Sequence, residues 1–97
     1  GHKERDAVGV SLASQGYPDH PKTGSVIEGL DLAARRPGVE VFHAGTAKES
    51  GRLVSSGGRV LSVVGLGINS REARSRAYGA VSVIKFEGMQ YRKDIGM

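Results

Sequence analysis

Arg59-Val60-Leu61-Ser62-Val63-Val64-Gly65-Leu66-Gly67-Ile68-Asn69-Ser70 is the stretch on which the fold turns. Arg59 to Leu66 is the most apolar run of the chain and reads as a strand, β-branched at Val60, Val63 and Val64. Asn69 then suits a helix N-cap, and Glu72 three positions on completes a capping box. Ala73, Ala77, Val81 and Ile84 follow at i, i+4, i+8 and i+11, lining one face of a helix over about Ser70–Lys85. Strand, Gly-x-Gly and helix also open a dinucleotide-binding unit, and Glu87 stands about 20 residues on, where such a unit holds the ribose. Against that reading, Ser70 occupies the third glycine position, and Phe86–Met97 is too short to finish a nucleotide-binding half. Gly65 and Gly67 are read instead as the means by which the strand turns sharply into the helix.

Upstream, Asp6 to Ser14 alternates around Ala7, Val8, Val10, Leu12 and Ala13 as a strand does. Gln15–Gly24, with two prolines and two glycines, reads as a loop. Val26 and Ile27 suit a brief strand. Asp31–Arg36 suits one helical turn, capped by Asp31 and stopped by Pro37-Gly38. Val39–His43 is a second clear strand, and Arg52–Ser55 returns as a hairpin partner after a turn at Lys48–Gly51. Tyr91 anchors one more short strand near the end. The pattern is α+β: a small, mostly antiparallel sheet covered by one long helix near residues 70–85. Residues 3–97 read as a single domain, with Gly1-His2 set aside as a tag remnant.

Composition narrows the chemistry. Ninety-seven residues allow one modest core and no large cleft of their own. There is no cysteine, which excludes disulfides, thiolate metal sites and cysteine nucleophiles. His2, His20 and His43 show no metal-ligand spacing, so no metal site is expected. No Gly-x-x-x-x-Gly-Lys-Ser/Thr loop is present for nucleotide phosphates. No apolar run approaches the roughly 18–20 residues that span a bilayer, so no membrane partner is expected and a cytoplasmic location is the default. The net charge of +4 favours anionic partners. Yet Arg71, Arg74, Arg76 and Lys85 read as a solvated helix face, and the aromatic residues are too dispersed to stack bases. Nucleic acid is therefore not an expected partner, and no catalytic residues are assigned. The chain looks like a piece of something larger.

Two runs do carry binding chemistry: Val41-Phe42-His43-Ala44-Gly45-Thr46 and Gly57-Gly58-Arg59-Val60-Leu61. In each, glycine interrupts an apolar strand beside a polar or cationic side chain. Such a sheet can bring backbone N–H groups and a guanidinium up to an anion. Arg59 leads the candidates, since a planar guanidinium grips phosphate or carboxylate with two hydrogen bonds. Gly57 and Gly58 would let the backbone approach the same anion. The plainer alternative makes Gly57-Gly58 a hairpin turn and Arg59 a surface salt-bridge partner.

These runs belong to a wider set: Ala13-Ser14-Gln15-Gly16-Tyr17-Pro18, Ile27-Glu28-Gly29, the two stretches above, Phe86-Glu87-Gly88, and Tyr91-Arg92-Lys93-Asp94-Ile95-Gly96. In this order and spacing they resemble the C-terminal domain of the phosphoribosylamine–glycine ligases (glycinamide ribonucleotide synthetases), ATP-grasp enzymes of purine biosynthesis. The resemblance implies a rudimentary barrel-sandwich hybrid that closes an active site from one side. It implies upstream ATP-grasp domains that bind ATP and magnesium and activate glycine as an acyl phosphate for attack by phosphoribosylamine. It places this chain among ligases as a fragment, inactive alone and holding no cofactor itself. It also marks Arg59, Gly58, Gly57, His43 and Thr46 as substrate-binding candidates.

By strand alternation His43 points opposite to Phe42 and Ala44, where it can meet substrate or orient Arg59. Its plainer reading is a half-buried histidine bonded to a carbonyl. Thr46 is read chiefly as a cap on the turn after Gly45. Tyr17-Pro18 is read as a rigid loop element, Glu28-Gly29 as a neighbour of the same cleft, and Arg92, Lys93 and Asp94 as anchors of the tail. Two other classes stay open: a carrier or interaction module of the lipoyl or biotinyl type, and a small basic RNA-binding domain. The first needs an exposed lysine at a hairpin tip beside methionine, whereas Lys48 is flanked by Ala47 and Glu49.

Overall fold

A computed structural model describes residues 6–17 and 19–94. Expectations placed on Gly1-His2, Pro18 and Ile95-Gly96, and on the side chains of Arg92, Lys93 and Asp94, lie outside the described residues. In chain order the elements are β1 (Asp6–Ala13), α1 (Leu30–Ala34), β2 (Val39–His43), β3 (Thr46–Glu49), β4 (Arg52–Ser55), β5 (Arg59–Gly67), α2 (Ser70–Val81) and β6 (Gln90–Asp94). Four strands form one sheet in the order β2-β5-β1-β6, and β3-β4 form a separate two-stranded sheet. Every ladder between these strands is antiparallel. The α+β arrangement of a small antiparallel sheet under one long helix is therefore what the chain adopts.

The core follows from the alternation in β1 and β5. Val10 stands opposite Val63 and Leu12 opposite Leu61, and all four are at most 1% exposed. Over them α2 lays Ala73, Ala77, Ala80 and Val81, with Ile84 and Phe86 continuing the cover beyond the helix. Burying this apolar face is what drives helix and sheet together. A β-bulge between Leu12 and Ala13 brings Ala13 opposite Arg59, which bends the strand end at which the polar motifs gather.

Gly65 and Gly67 do something other than turn the chain. Both lie inside β5, and neither has a left-handed φ. A methyl group at Gly65 would overlap the Ala73 carbonyl and the Ala77 backbone nitrogen, and one at Gly67 would press on Ala73 and Glu72. The two glycines form a trough that seats an alanine-faced helix directly on the strand. The reversal itself falls at Ile68-Asn69. Asn69 Oδ1 accepts from the Glu72 N–H at 2.8 Å, as a cap should. Glu72 answers by accepting from the N–H of Ile68 at 2.8 Å, one residue earlier than the standard box.

Three boundaries differ from the sequence reading. The helix ends at Val81, four residues short of Lys85. The Val83 N–H donates to the Ala80 carbonyl and the Ile84 N–H to that of Val81, so the chain tightens into three-residue turns. Lys85 then exchanges two backbone hydrogen bonds with Glu28, which a continuing helix would forbid. α1 starts at Leu30 after Gly29, whose φ is 83°, with no side-chain cap. Asp31 thus lies in the first turn rather than at the cap. The hairpin is longer than expected, pairing Thr46–Glu49 with Arg52–Ser55 around Ser50-Gly51. Both turn residues have positive φ, as two-residue loops of the I′ class require.

Candidate functional site

The two motif runs meet at one end of the larger sheet. β2 lies against β5 with His43 opposite Leu61, so Val41–Thr46 and Gly57–Leu61 run side by side. The Val60 carbonyl accepts from both Ala44 and Gly45 N–H groups, at 3.0 and 3.1 Å, and the Gly45 carbonyl accepts from Ser56 at 2.8 Å. A side chain at Gly45 would overlap the Arg59 carbonyl and crowd Gly57. Glycine is required here so that the two backbones can touch.

Ser14 organises the Gly-Gly segment from the other side. Its hydroxyl donates to the Gly57 carbonyl at 2.8 Å, and its N–H donates to the Gly58 carbonyl at 2.7 Å. In a trans peptide the carbonyl of one residue and the N–H of the next point in opposite directions. With both carbonyls gathered on Ser14, the N–H groups of Gly58 and Arg59 are turned away from it. Among the described residues the Gly57 and Gly58 N–H groups have no backbone acceptor. Gly57-Gly58 is therefore a connection between the two sheets, leading from β4 into β5, and not a hairpin turn.

Arg59 opens β5 with an exposed side chain. Its Nε donates to the Tyr17 hydroxyl at 3.3 Å. Among the described residues it makes no ion pair, so the salt-bridge alternative finds no partner. His43 is exposed, and its Nδ1 shares a hydrogen bond of 2.9 Å with Thr46 Oγ1. Among the described residues, the hydrogen-bond partner of His43 is thus neither a carbonyl nor Arg59. Thr46 begins β3 and holds the imidazole. Arg59, Gly57 and Gly58 are thus assembled with Tyr17, and His43 with Thr46 on the adjoining strand end.

Glu28 does not join this group. It lines a separate groove of about 430 Å³ with Lys85, Phe86, Lys22 and Glu87, the last two paired at 3.1 Å. Tyr17 and Ser14 fall in a motif segment that was read only as a loop element and was not assigned to the site. The signal lay in β1: pairing that strand antiparallel with β5 brings Ser14 beside Gly58. Among the described residues no three His, Cys, Asp or Glu side chains are grouped to hold a metal ion.

Residues 7–97 match the family described as phosphoribosylglycinamide synthetase, C domain. The chain belongs to that family. A phosphoribosylamine–glycine ligase of Neisseria meningitidis serogroup A is 61% identical over 90 residues, covering 92% of this chain and 21% of the relative. The ligase of Caulobacter vibrioides is 56% identical over 95 residues, covering 97% of this chain and 22% of the relative. The crystal structure of the Thermotoga maritima ligase superposes with a TM-score of 0.77 at 42% identity, covering 89% of this chain and 20% of that one. The chain thus spans about a fifth of the length of the curated relatives it matches. Among the described residues no helix of the domain is long and apolar enough to cross a membrane.

Proposed function

We propose that this domain works as the C-terminal part of an ATP-dependent ligase that joins glycine to 5-phosphoribosylamine in de novo purine biosynthesis, in the cytoplasm. The products are glycinamide ribonucleotide, ADP and phosphate. The observation that carries the proposal is the family match over residues 7–97 to relatives more than four times as long. ATP and magnesium are assigned to upstream ATP-grasp domains of the same polypeptide, because the described residues here offer neither a phosphate loop nor a carboxylate cluster.

This domain's share is electrostatic. The reaction gathers the anions of ATP, a glycine carboxylate and a ribose phosphate, so a fixed cation facing them lowers the cost of bringing them together. Arg59 supplies that cation beside the outward N–H of Gly58, and His43–Thr46 forms the adjoining wall. A barrel-sandwich reading of the two sheets goes with this closing role.

The carrier alternative is disfavoured by geometry. Lys48 lies within β3, whereas the hairpin tip is Ser50-Gly51. For the RNA-binding alternative, Arg76 is occupied by the Leu66 carbonyl and Glu72, which leaves a sparse basic face on α2.

The test compares the complete polypeptide with this 97-residue chain in an assay of ADP release that requires both glycine and phosphoribosylamine. Turnover is expected from the complete polypeptide alone. Measurable turnover by the isolated chain would sink the assignment of ATP chemistry to the upstream domains.

A further inference from the structure

Arg59 is exposed, and an exposed arginine ordinarily samples many rotamers. Its one hydrogen bond to another side chain among the described residues is from Nε to the Tyr17 hydroxyl, at 3.3 Å. A guanidinium carries a single N–H on Nε and two on each terminal nitrogen. Held through Nε, it keeps both terminal nitrogens for an incoming anion. That is the edge with which arginine grips a phosphate or carboxylate through two parallel hydrogen bonds.

The tyrosine is itself held by the surrounding structure. Its ring lies over Gly58, where any side chain would overlap ring atoms Cδ1 and Cε1. Its N–H donates to the Ser14 carbonyl at 3.2 Å. The loop around it is tied by the bonds from His20 to Gly16 at 2.9 Å and from Lys22 to Gln15 at 2.8 Å. Ser14 therefore holds the backbone of Tyr17 on one side and the Gly57 and Gly58 carbonyls on the other. The glycine at position 58 makes room for the ring that reaches Arg59.

We propose that Tyr17 is the positioning residue of Arg59, fixing the guanidinium through Nε so that its terminal nitrogens meet an anionic group of the phosphoribosylamine substrate. The proposal rests on the reading of Arg59 as an anion contact. A long, exposed hydrogen bond from a guanidinium to a neutral hydroxyl accounts for an effect of roughly three- to tenfold.

The experiment is a double-mutant cycle in the complete ligase, with phosphoribosylamine varied. Tyr17→Phe keeps the ring over Gly58 and removes only the hydroxyl. It should raise the KM for phosphoribosylamine about three- to tenfold, with kcat and the KM for ATP within about twofold of the parent. In an Arg59→Ala background the same substitution should add nothing, because the group it positions is gone. Parent-like kinetics for Tyr17→Phe beside an impaired Arg59→Ala enzyme would overturn the positioning role alone. A full Tyr17→Phe penalty persisting in the Arg59→Ala background would overturn it too, by showing an independent contact. Parent-like kinetics for Arg59→Ala by itself would remove the anion-contact reading and the Tyr17 proposal together.

Discussion

The buried Ser14 hydroxyl and the Gly57 carbonyl, 43 positions apart, meet at 2.8 Å and join the end of β1 to the segment that leads into Arg59. Ser14 is 1% exposed, so its hydroxyl does not exchange this bond for water at little cost. Ser14→Ala should lower the unfolding free energy by about 1–2 kcal/mol, since it leaves the carbonyl short of a donor. Denaturant titration of the isolated domain measures this. An unchanged midpoint would show that solvent satisfies the Gly57 carbonyl.

The trough under α2 makes a sharper forecast. Gly65→Ala should destabilise the domain by about 1–3 kcal/mol or more, because the atoms it meets belong to the Ala73 and Ala77 backbone and cannot swing aside. The size of the loss is read as a fall in Tm of roughly 4–8 °C for each kcal/mol in a domain of this size. A neutral substitution would mean that the helix does not seat on the strand at this depth.

Loss of the Asn69 cap should cost less. Asn69→Ala removes the acceptor of the Glu72 N–H and is expected to destabilise by about 1 kcal/mol, whereas Asn69→Asp should retain most of the stability. Thermal unfolding of the two variants side by side decides it. Equal losses in both would mean that the side-chain oxygen is not what matters.

Under the proposed function, Arg59→Ala in the complete polypeptide should reduce kcat/KM for phosphoribosylamine by at least about tenfold, the scale of a lost charge-assisted hydrogen bond, and leave the KM for ATP nearly unchanged. Arg59→Lys should recover only part, since an ammonium keeps the charge and loses the two-pronged geometry. Full recovery by lysine would reduce the role of Arg59 to charge alone.

How much of this was legible along the chain follows from the range of each interaction. The strands around Val8–Leu12, Val39–His43 and Arg59–Leu66, and the helix start at Asn69, rest on contacts within a few residues. Alternation and capping display these directly. The helix end did not show itself, because the chain leaves the helix to pair Lys85 with Glu28, a residue 57 positions away. Asp31 carries a capping residue's chemistry, yet the neighbouring Gly29 takes the left-handed conformation that starts α1.

The site divides in the same way. Gly57-Gly58-Arg59 and His43 were visible as glycine and polar side chains breaking apolar strands, a pattern with a local chemical meaning. The companions of these residues were not visible. Tyr17 reaches Arg59 across 42 positions, and Ser14 reaches Gly57 across 43. Side-chain periodicity and capping chemistry act over one or two turns of chain, so residue order was enough to place most elements and to single out the Gly-Gly-Arg run. Which side chain restrains the guanidinium, and what Gly65 and Gly67 make room for, depend on separate elements packing to contact distance, and only the folded arrangement decides that.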